Sequence, residues 1–295
     1  MAAGGGHLAH AQRLEGGRDG DPGRLELRRL PALRLPAGRG GPGAGPPLVS
    51  RTISVVIPAK DEELRLGRTL ARLREAAPRL GITEVVIVDD GSRDRTPDLV
   101  REASAVGGGP VFRLERHERN RGKAASLRTG MLAASGDLIA LFDADLSVDP
   151  AYLEGALRLI EGGADVVTGT RIQEDGTEVR GSQPLFRRAG SRLFRFMQEA
   201  IVGLPFRDTQ CPFKVMRRDV RDGVVPRLTI DRWNFDVEFL VVAMRQGFAV
   251  RELPVVFEHV DGSTVRMTPG YFIEQPRALW AIRRRHGSAR RRDRR

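Results

Sequence analysis

The 295-residue chain has one cysteine, Cys211. An intramolecular disulfide is therefore excluded, and thiolate zinc sites are a poor fit. The five histidines show no metal-ligand spacing. Aromatic residues make up only 5% and no nucleic-acid motif occurs, so no nucleic-acid partner is expected. No apolar run approaches the roughly 18 residues of a membrane span. The opening MAAGGGHLAHAQRLEGGRDG lacks the continuous apolar stretch of a secretory signal. No strand is followed by a Walker A or Gly-x-Gly-x-x-Gly turn, which weighs against P-loop and dinucleotide enzymes. No Ser/His/Asp arrangement stands out. A cytosolic chain is expected.

Hydrophobic residues reach 40%, an ordinary globular value. The length suits one large α/β domain or two small ones. Residues 1–49 are rich in Gly, Pro, Arg and Ala without helix or strand period, and read as a disordered arm. The net charge of +11 is uneven: from Arg283 onward eight arginines meet one aspartate, Asp293. For this basic tail, plain disorder and contact with an anionic membrane surface stand level, and nucleic acid ranks third. The expected division is a 1–49 arm, a 50–285 catalytic domain and a 286–295 tail.

Within the domain, apolar runs at 53–57, 84–88, 111–115, 137–142 and 165–169 read as strands. Helices are expected between them. The first follows Pro58–Glu62 and carries Leu64, Leu66, Leu70 and Leu73 as its apolar stripe. The others start near Pro97, Ala124 and Pro150. This alternation predicts a mostly parallel, doubly wound sheet with helices on both faces. Right-handed crossovers bring the strand-to-helix loops to one edge, where such folds bind ligands. Pro58–Glu62, Asp89–Ser92, Asp143-Ala144-Asp145 and Thr170-Arg171 would then line one crevice. A further helix is expected at about 237–246 and a strand near 249–253.

Two carboxylates one residue apart at the rim of a core call for a cation. Mg²⁺ and Mn²⁺ take oxygen ligands and bridge carboxylates to phosphates. A metal on Asp143 and Asp145, with Arg121, Lys123 and Arg171 nearby, suits a diphosphate that must be neutralised as it leaves. Asp89 or Asp90 could accept hydrogen bonds from a base or ribose. Each element also has a plainer reading. Asp145 to Ser147 would cap a helix, Asp89–Ser92 would be a turn, and Arg121 and Arg171 would be solvated arginines. The order of all of them along one sheet favours the joint reading.

The motifs VVIPAKDE (55–62), VDDGS (88–92), NRGK (120–123) and DADLS (143–147) resemble family 2 glycosyltransferases of the GT-A fold. Gly169-Thr170-Arg171, Asp208–Lys214, Trp233–Glu238 and the Gly262-Ser263 loop resemble the dolichyl-phosphate β-glucosyltransferases and their bacterial polyprenyl-phosphate relatives. The resemblance spans about residues 53–284. It implies an inverting transfer of a hexose from a nucleotide sugar, UDP-glucose first and GDP-mannose second, to a polyprenyl or dolichyl phosphate. It further implies that Pro58, Glu62, Val88 and Asp90 hold the nucleotide, with Asp89 close by and Lys123 alongside. Asp143, Ala144 and Asp145 would bracket Mg²⁺ or Mn²⁺ and the diphosphate, with Ser147 near. Arg171 would meet a phosphate, helped by Arg187 or Arg188. Asp145, Arg171 and Asp236 are the expected catalytic residues. An ionised phosphate acceptor needs no general base; a hydroxyl acceptor would need Asp208, Asp236 or Glu238. The alternatives are a soluble or glycan hydroxyl acceptor, or a non-catalytic nucleotide-sugar or membrane-binding module.

The sequence departs from the resemblance in three places. Pro212 stands where relatives have glycine, removing an N–H. The late loop reads Ser263-Thr264-Val265-Arg266, with Arg266 in place of the usual lysine. An N-terminal anchor like that of eukaryotic members is not expected from residues 1–49. Residues 185–202 and 269–285 are amphipathic and basic, and at least one is expected to lie at a membrane interface rather than only against the core. The enzyme would then be peripheral on the inner face of the cell membrane. Self-association is left open.

Overall fold

A computed structural model describes residues 51–172, 185–230, 234–257 and 269–289, without the side chains of 185–189, 191–192 and 269–273. Seven strands form one sheet in the order β3-β2-β1-β4-β6-β5-β7. They are β1 Ile53–Ala59, β2 Ile82–Asp89, β3 Val111–Arg116, β4 Leu138–Leu141, β5 Val166–Thr170, β6 Lys214–Arg217 and β7 Val250–Pro254. All pairings are parallel except those of β6, which runs antiparallel to both β4 and β5.

Alternation along β1 divides the core. Ile53, Val55 and Ile57 meet α1 (Glu63–Leu80) and α4 (Tyr152–Glu161) through Leu66, Leu70, Leu73, Leu153 and Ile160. Val56 faces the opposite layer, with Leu127 and Met131 of α3 (Lys123–Ala133) and the apolar run of α7 (Phe235–Arg245). Successive strand residues point to opposite faces, so one near-continuous apolar strand serves two helical layers. Helix α2 (Thr96–Ala105) packs beside α1, and α6 (Arg218–Val224) follows β6. Helices α5 (Leu185–Val202) and α8 (Pro269–His286) pack on each other. Gly130 lets α3 approach the sheet: a Cβ there would lie 2.4 Å from Val56 Cγ1.

Three expectations change. Leu64 is not part of the α1 stripe; it is 86% exposed. It stands two residues before Leu66, on the far side of a 3.6-residue turn. Strand β1 does not stop before Pro58 but continues to Ala59. Val56 offers its carbonyl to Phe142 N–H (3.1 Å), on the β4 side, and Ala59 offers its own to Asp90 N–H (2.8 Å), on the β2 side. Pro58 therefore turns its missing N–H toward the space beyond the end of β4, where no ladder bond is lost. Finally, β6 had no counterpart among the predicted strands. Its four residues, Lys-Val-Met-Arg, begin and end with a cation.

Candidate active site

Strand order reverses between β1 and β4, and the carboxyl ends of these two strands part at Pro58 and Phe142. Such a switch point leaves a crevice. Asp143 and Asp145 emerge there. Phe142 is buried edge-on against Phe213, 5.2 Å between ring centroids, and fixes the point of exit. A tight turn follows. Leu146 has φ 47° and donates to the Asp143 carbonyl at 3.1 Å. Asp145 Oδ1 accepts the Ser147 N–H at 3.0 Å. This bond closes a local turn and caps no helix: α4 (Tyr152–Glu161) starts without a side-chain cap, so the expected capping by Asp145 to Ser147 does not occur. Thr69 of α1 donates its hydroxyl to the Ala144 carbonyl at 2.6 Å, so α1 braces the turn; the Ala144 side chain is buried.

Opposite stands Lys123, the first residue of α3, with its ammonium on Asp143 Oδ1. Desolvation opposes its charge. Asp143, joined by Asp236 and Asp145, outweighs that and holds the Lys123 pKa above the ordinary lysine value. The turn carrying Lys123 is built by Asp90. That carboxylate accepts the N–H groups of Arg121 and Gly122, each at 2.8 Å, and lies 2.8 Å from His117 Nδ1. Burial works against the charge on Asp90, but these partners outweigh it and keep its carboxyl below the ordinary aspartate range. Gly122 has φ 97°, a conformation that favours glycine.

Asp89 is fully buried. It accepts the Ser92 N–H at 2.9 Å and lies 3.0 Å from Arg116 Nε, in an ion pair without hydrogen-bond geometry. Ser92 Oγ in turn accepts the Asp61 N–H at 2.9 Å. The loops after β1 and β2 therefore brace each other. Glu62 is held by Arg65 at 2.8 Å. Burial, with the charges of Asp145 and Asp143 in reach, raises its carboxyl above the usual glutamate value. Val88 is entirely buried in the α3-facing core and offers a ligand no side chain.

The far wall holds two locked ion pairs. Arg171 forks onto Asp208, with Nε–Oδ2 at 2.6 Å and Nη2–Oδ1 at 2.8 Å. It also lies over the Phe257 ring at 5.5 Å. Desolvation acts against its charge, but Asp208 prevails and raises its pKa. Lys214, at the start of β6, is fully buried. Its ammonium donates to the Cys211 carbonyl at 2.7 Å, the Thr209 carbonyl at 3.3 Å and Asp236 Oδ1 at 2.5 Å. Burial, with Asp208 nearby, pushes the Cys211 thiol up to about 11, leaving it protonated and inert.

Glu238 lies away from this wall. It is fully buried and accepts from Thr229 N, Thr229 Oγ1 and Ile230 N, with His286 Nε2 at 2.9 Å. Desolvation raises its pKa, but these donors outweigh it and keep the carboxyl low. The side chains of Arg187 and Arg188, and Trp233, Arg266 and the Gly262-Ser263 loop, lie outside the described residues. So do residues 1–50 and the tail from Arg290.

His117, Lys214 and Thr69 were missed in the sequence reading. Only His117 left a signal: it follows the end of β3 by one residue, as Asp90 follows the end of β2. Among the described residues, no three His, Cys, Asp or Glu side chains cluster as metal ligands. Asp143 and Asp145 themselves offer only oxygen ligands, Lys123 being a cation and no ligand, and Ser147 Oγ is buried without a hydrogen-bond partner. That set fits a hard dication that keeps waters and is completed by phosphate oxygens.

Comparison with known proteins bears on family and fold. The model of "Glycosyl transferase family 2" matches residues 54–224. The dolichyl-phosphate beta-glucosyltransferase of Drosophila melanogaster is 31% identical over 248 residues, covering 79% of this chain and 74% of that one. The human dolichyl-phosphate beta-glucosyltransferase is 28% identical, covering 72% and 69%. Among solved structures, glucosyl-3-phosphoglycerate synthase of Mycobacterium tuberculosis, in complex with Mn²⁺, UDP-glucose and glycerol 3-phosphate, superposes with TM-score 0.55 at 20% identity. It covers 81% of this chain and 82% of its own, a likeness of fold, and that fold is GT-A. With a family match over more than half its length and relatives of this similarity, the chain belongs to glycosyl transferase family 2.

Proposed function

We propose that this glycosyltransferase moves a hexose, glucose before mannose, from a nucleotide sugar to a polyprenyl or dolichyl phosphate, with inversion, at the cytoplasmic face of a membrane. The observation that carries the acceptor class is the state of the carboxylates. A hydroxyl acceptor needs a general base. Asp208 is forked by Arg171, Asp236 is held by Lys214, and Glu238 is occupied by three donors and His286. A phosphate acceptor is already ionised and needs none of them. Its oxygen attacks the anomeric carbon as the nucleoside diphosphate departs from the opposite face. The relatives named for dolichyl-phosphate glucosyl transfer support the same acceptor.

Asp143 and Asp145 would hold Mg²⁺ or Mn²⁺, with Ser147 close by. The ion, when bound, supplies charge neutralisation for the leaving diphosphate. Pro58, Glu62, Asp89 and Asp90 wall the nucleotide side, and Asp90 acts there by shaping the Arg121–Lys123 turn. Arg171, held in one orientation by Asp208, presents a fixed cation to the acceptor side. Asp236 keeps its place as the carboxylate between Lys214, Lys123 and Arg171, whose charges it supports. Arg187 and Arg266 are proposed as further phosphate contacts.

The membrane surface is the α5–α8 pair. Phe196 is 69% and Trp280 58% exposed. Arg283 lies 5.9 Å over the Trp280 ring and lines a shallow hollow with Phe196, Ala200 and Gly203. Exposed aromatics interleaved with arginine suit the headgroup region of an anionic bilayer. Among the described residues no helix is long and apolar enough to cross a membrane. Binding to anionic vesicles is expected at low salt and should fall steeply with ionic strength. No sedimentation with such vesicles at low salt would favour a soluble acceptor.

The deciding experiment pairs purified enzyme and Mg²⁺ or Mn²⁺ with UDP- and GDP-hexoses, with and without polyprenyl phosphate. Transfer from UDP-glucose that requires the lipid phosphate is the expected result. Equal turnover onto a soluble hydroxyl acceptor would overturn the acceptor assignment.

A further inference from the structure

We infer that Lys123 is a tethered stand-in for the dication, seated on Asp143 when the site is empty and transferred to the donor's diphosphate when metal and donor arrive together. The inference rests on the metal–diphosphate reading of Asp143 and Asp145 and adds a coupling between the two ligands.

The geometry has three parts. Lys123 and Asp143 form an ion pair in which the lysine is 54% and the carboxylate 29% exposed, so the pair can open without breaking the core. The base of the lysine is rigid, because Asp90 holds the N–H groups of Arg121 and Gly122 just before it. The ammonium, on a flexible four-carbon stem, is free to move about that fixed base. Asp143 is the contact of the ammonium, and the more distant charges of Asp236 and Asp145 favour it as well.

Charge then dictates the order of events. Asp143, Asp145 and Lys123 together carry one net negative charge. A dication added to them leaves one net positive charge, with ammonium and metal sharing the same carboxylates at close range. Like charges at such separations repel strongly in a partly enclosed crevice. A diphosphate removes the conflict, since it accepts hydrogen bonds from the displaced ammonium and ligates the metal. Metal alone must compete with Lys123, whereas metal with nucleotide does not. By linkage, the nucleotide strengthens metal binding as much as metal strengthens nucleotide binding.

Mn²⁺ titrations followed by electron paramagnetic resonance, with and without UDP, test this without any turnover. In the wild type, UDP should tighten Mn²⁺ by about tenfold or more. Lys123→Met should bind Mn²⁺ alone about three- to tenfold tighter than wild type, and its gain from UDP should shrink to about threefold or less. Lys123→Arg, which keeps the cation, should retain the wild-type pattern. If Lys123→Met binds Mn²⁺ alone no tighter than wild type, while Asp145→Ala abolishes binding, the stand-in role is overturned and the metal site stands. If no form binds Mn²⁺ even with UDP, the metal reading itself falls, and this inference with it.

Discussion

Replacing Asp145 by alanine should lower sugar transfer by about 10³-fold or more and remove metal-dependent donor binding. The carboxylate stands at the crevice between β1 and β4, two residues after Asp143, and its charge acts on Glu62 and Lys123. Its fold role is small by comparison. It accepts one N–H, that of Ser147, in a turn also held by Leu146 N–H and the Thr69 hydroxyl. Loss of one such turn hydrogen bond costs about 0.5–1.5 kcal/mol. The variant should therefore purify folded, with an intact thermal transition and almost no turnover. Full turnover by a folded Asp145→Ala would sink the site assignment.

The largest effect on stability is expected at Asp236. Lys214 has no exposed surface, and Asp236 supplies its counter-charge. Asp236 is itself 28% exposed, but removing it leaves the buried ammonium uncompensated, a loss of up to about 3–5 kcal/mol. Asp236→Ala should show that loss in urea denaturation. The two carbonyls that also accept from Lys214 are dipoles and cannot replace a full charge. A double change, Lys214→Met with Asp236→Leu, removes both charges and should recover much of the stability. Transfer should stay low in the double variant, because Asp236 also supports Lys123 and Arg171. A destabilisation below about 1 kcal/mol for Asp236→Ala would mean that Lys214 finds another anion, contrary to the pairing described.

Much of this architecture was legible in the residues. Strands β1, β2, β4 and β5 are mostly apolar and mostly buried, because both faces of each are covered, with Ser54, Thr83-Glu84 and the Thr-Gly-Thr end of β5 as interruptions. Their ends are marked by aspartates or by Thr170-Arg171, so the crevice could be assembled from strand ends alone. The antiparallel β6 was not legible. It carries a lysine into the core, which is tolerable only because Asp236, twenty-two residues later, folds onto it. Periodicity is a local signal and cannot report such a partner. The same holds for Arg171, read as a cation ready for phosphate. Its fork to Asp208 spans thirty-seven residues and becomes visible only once β5 and the segment before β6 are adjacent. Asp90 was placed correctly at the crevice, but its partners lie on a loop about thirty residues away. Its work is to shape that loop.

The position of β6 also sets a timetable for synthesis. Strand β5 leaves the ribosome well before either of its neighbours, since among the described residues it pairs only with β6 and β7. Its Val-Val-Thr-Gly-Thr segment is wholly buried in the finished sheet. Until residues 214–217 and then 250–254 emerge, a nascent chain holds this strand with both edges unpaired. Strands β1 to β4 meanwhile can pair among themselves. The interval between β5 and β7 is therefore when the growing protein is most exposed to misassembly and most dependent on chaperones.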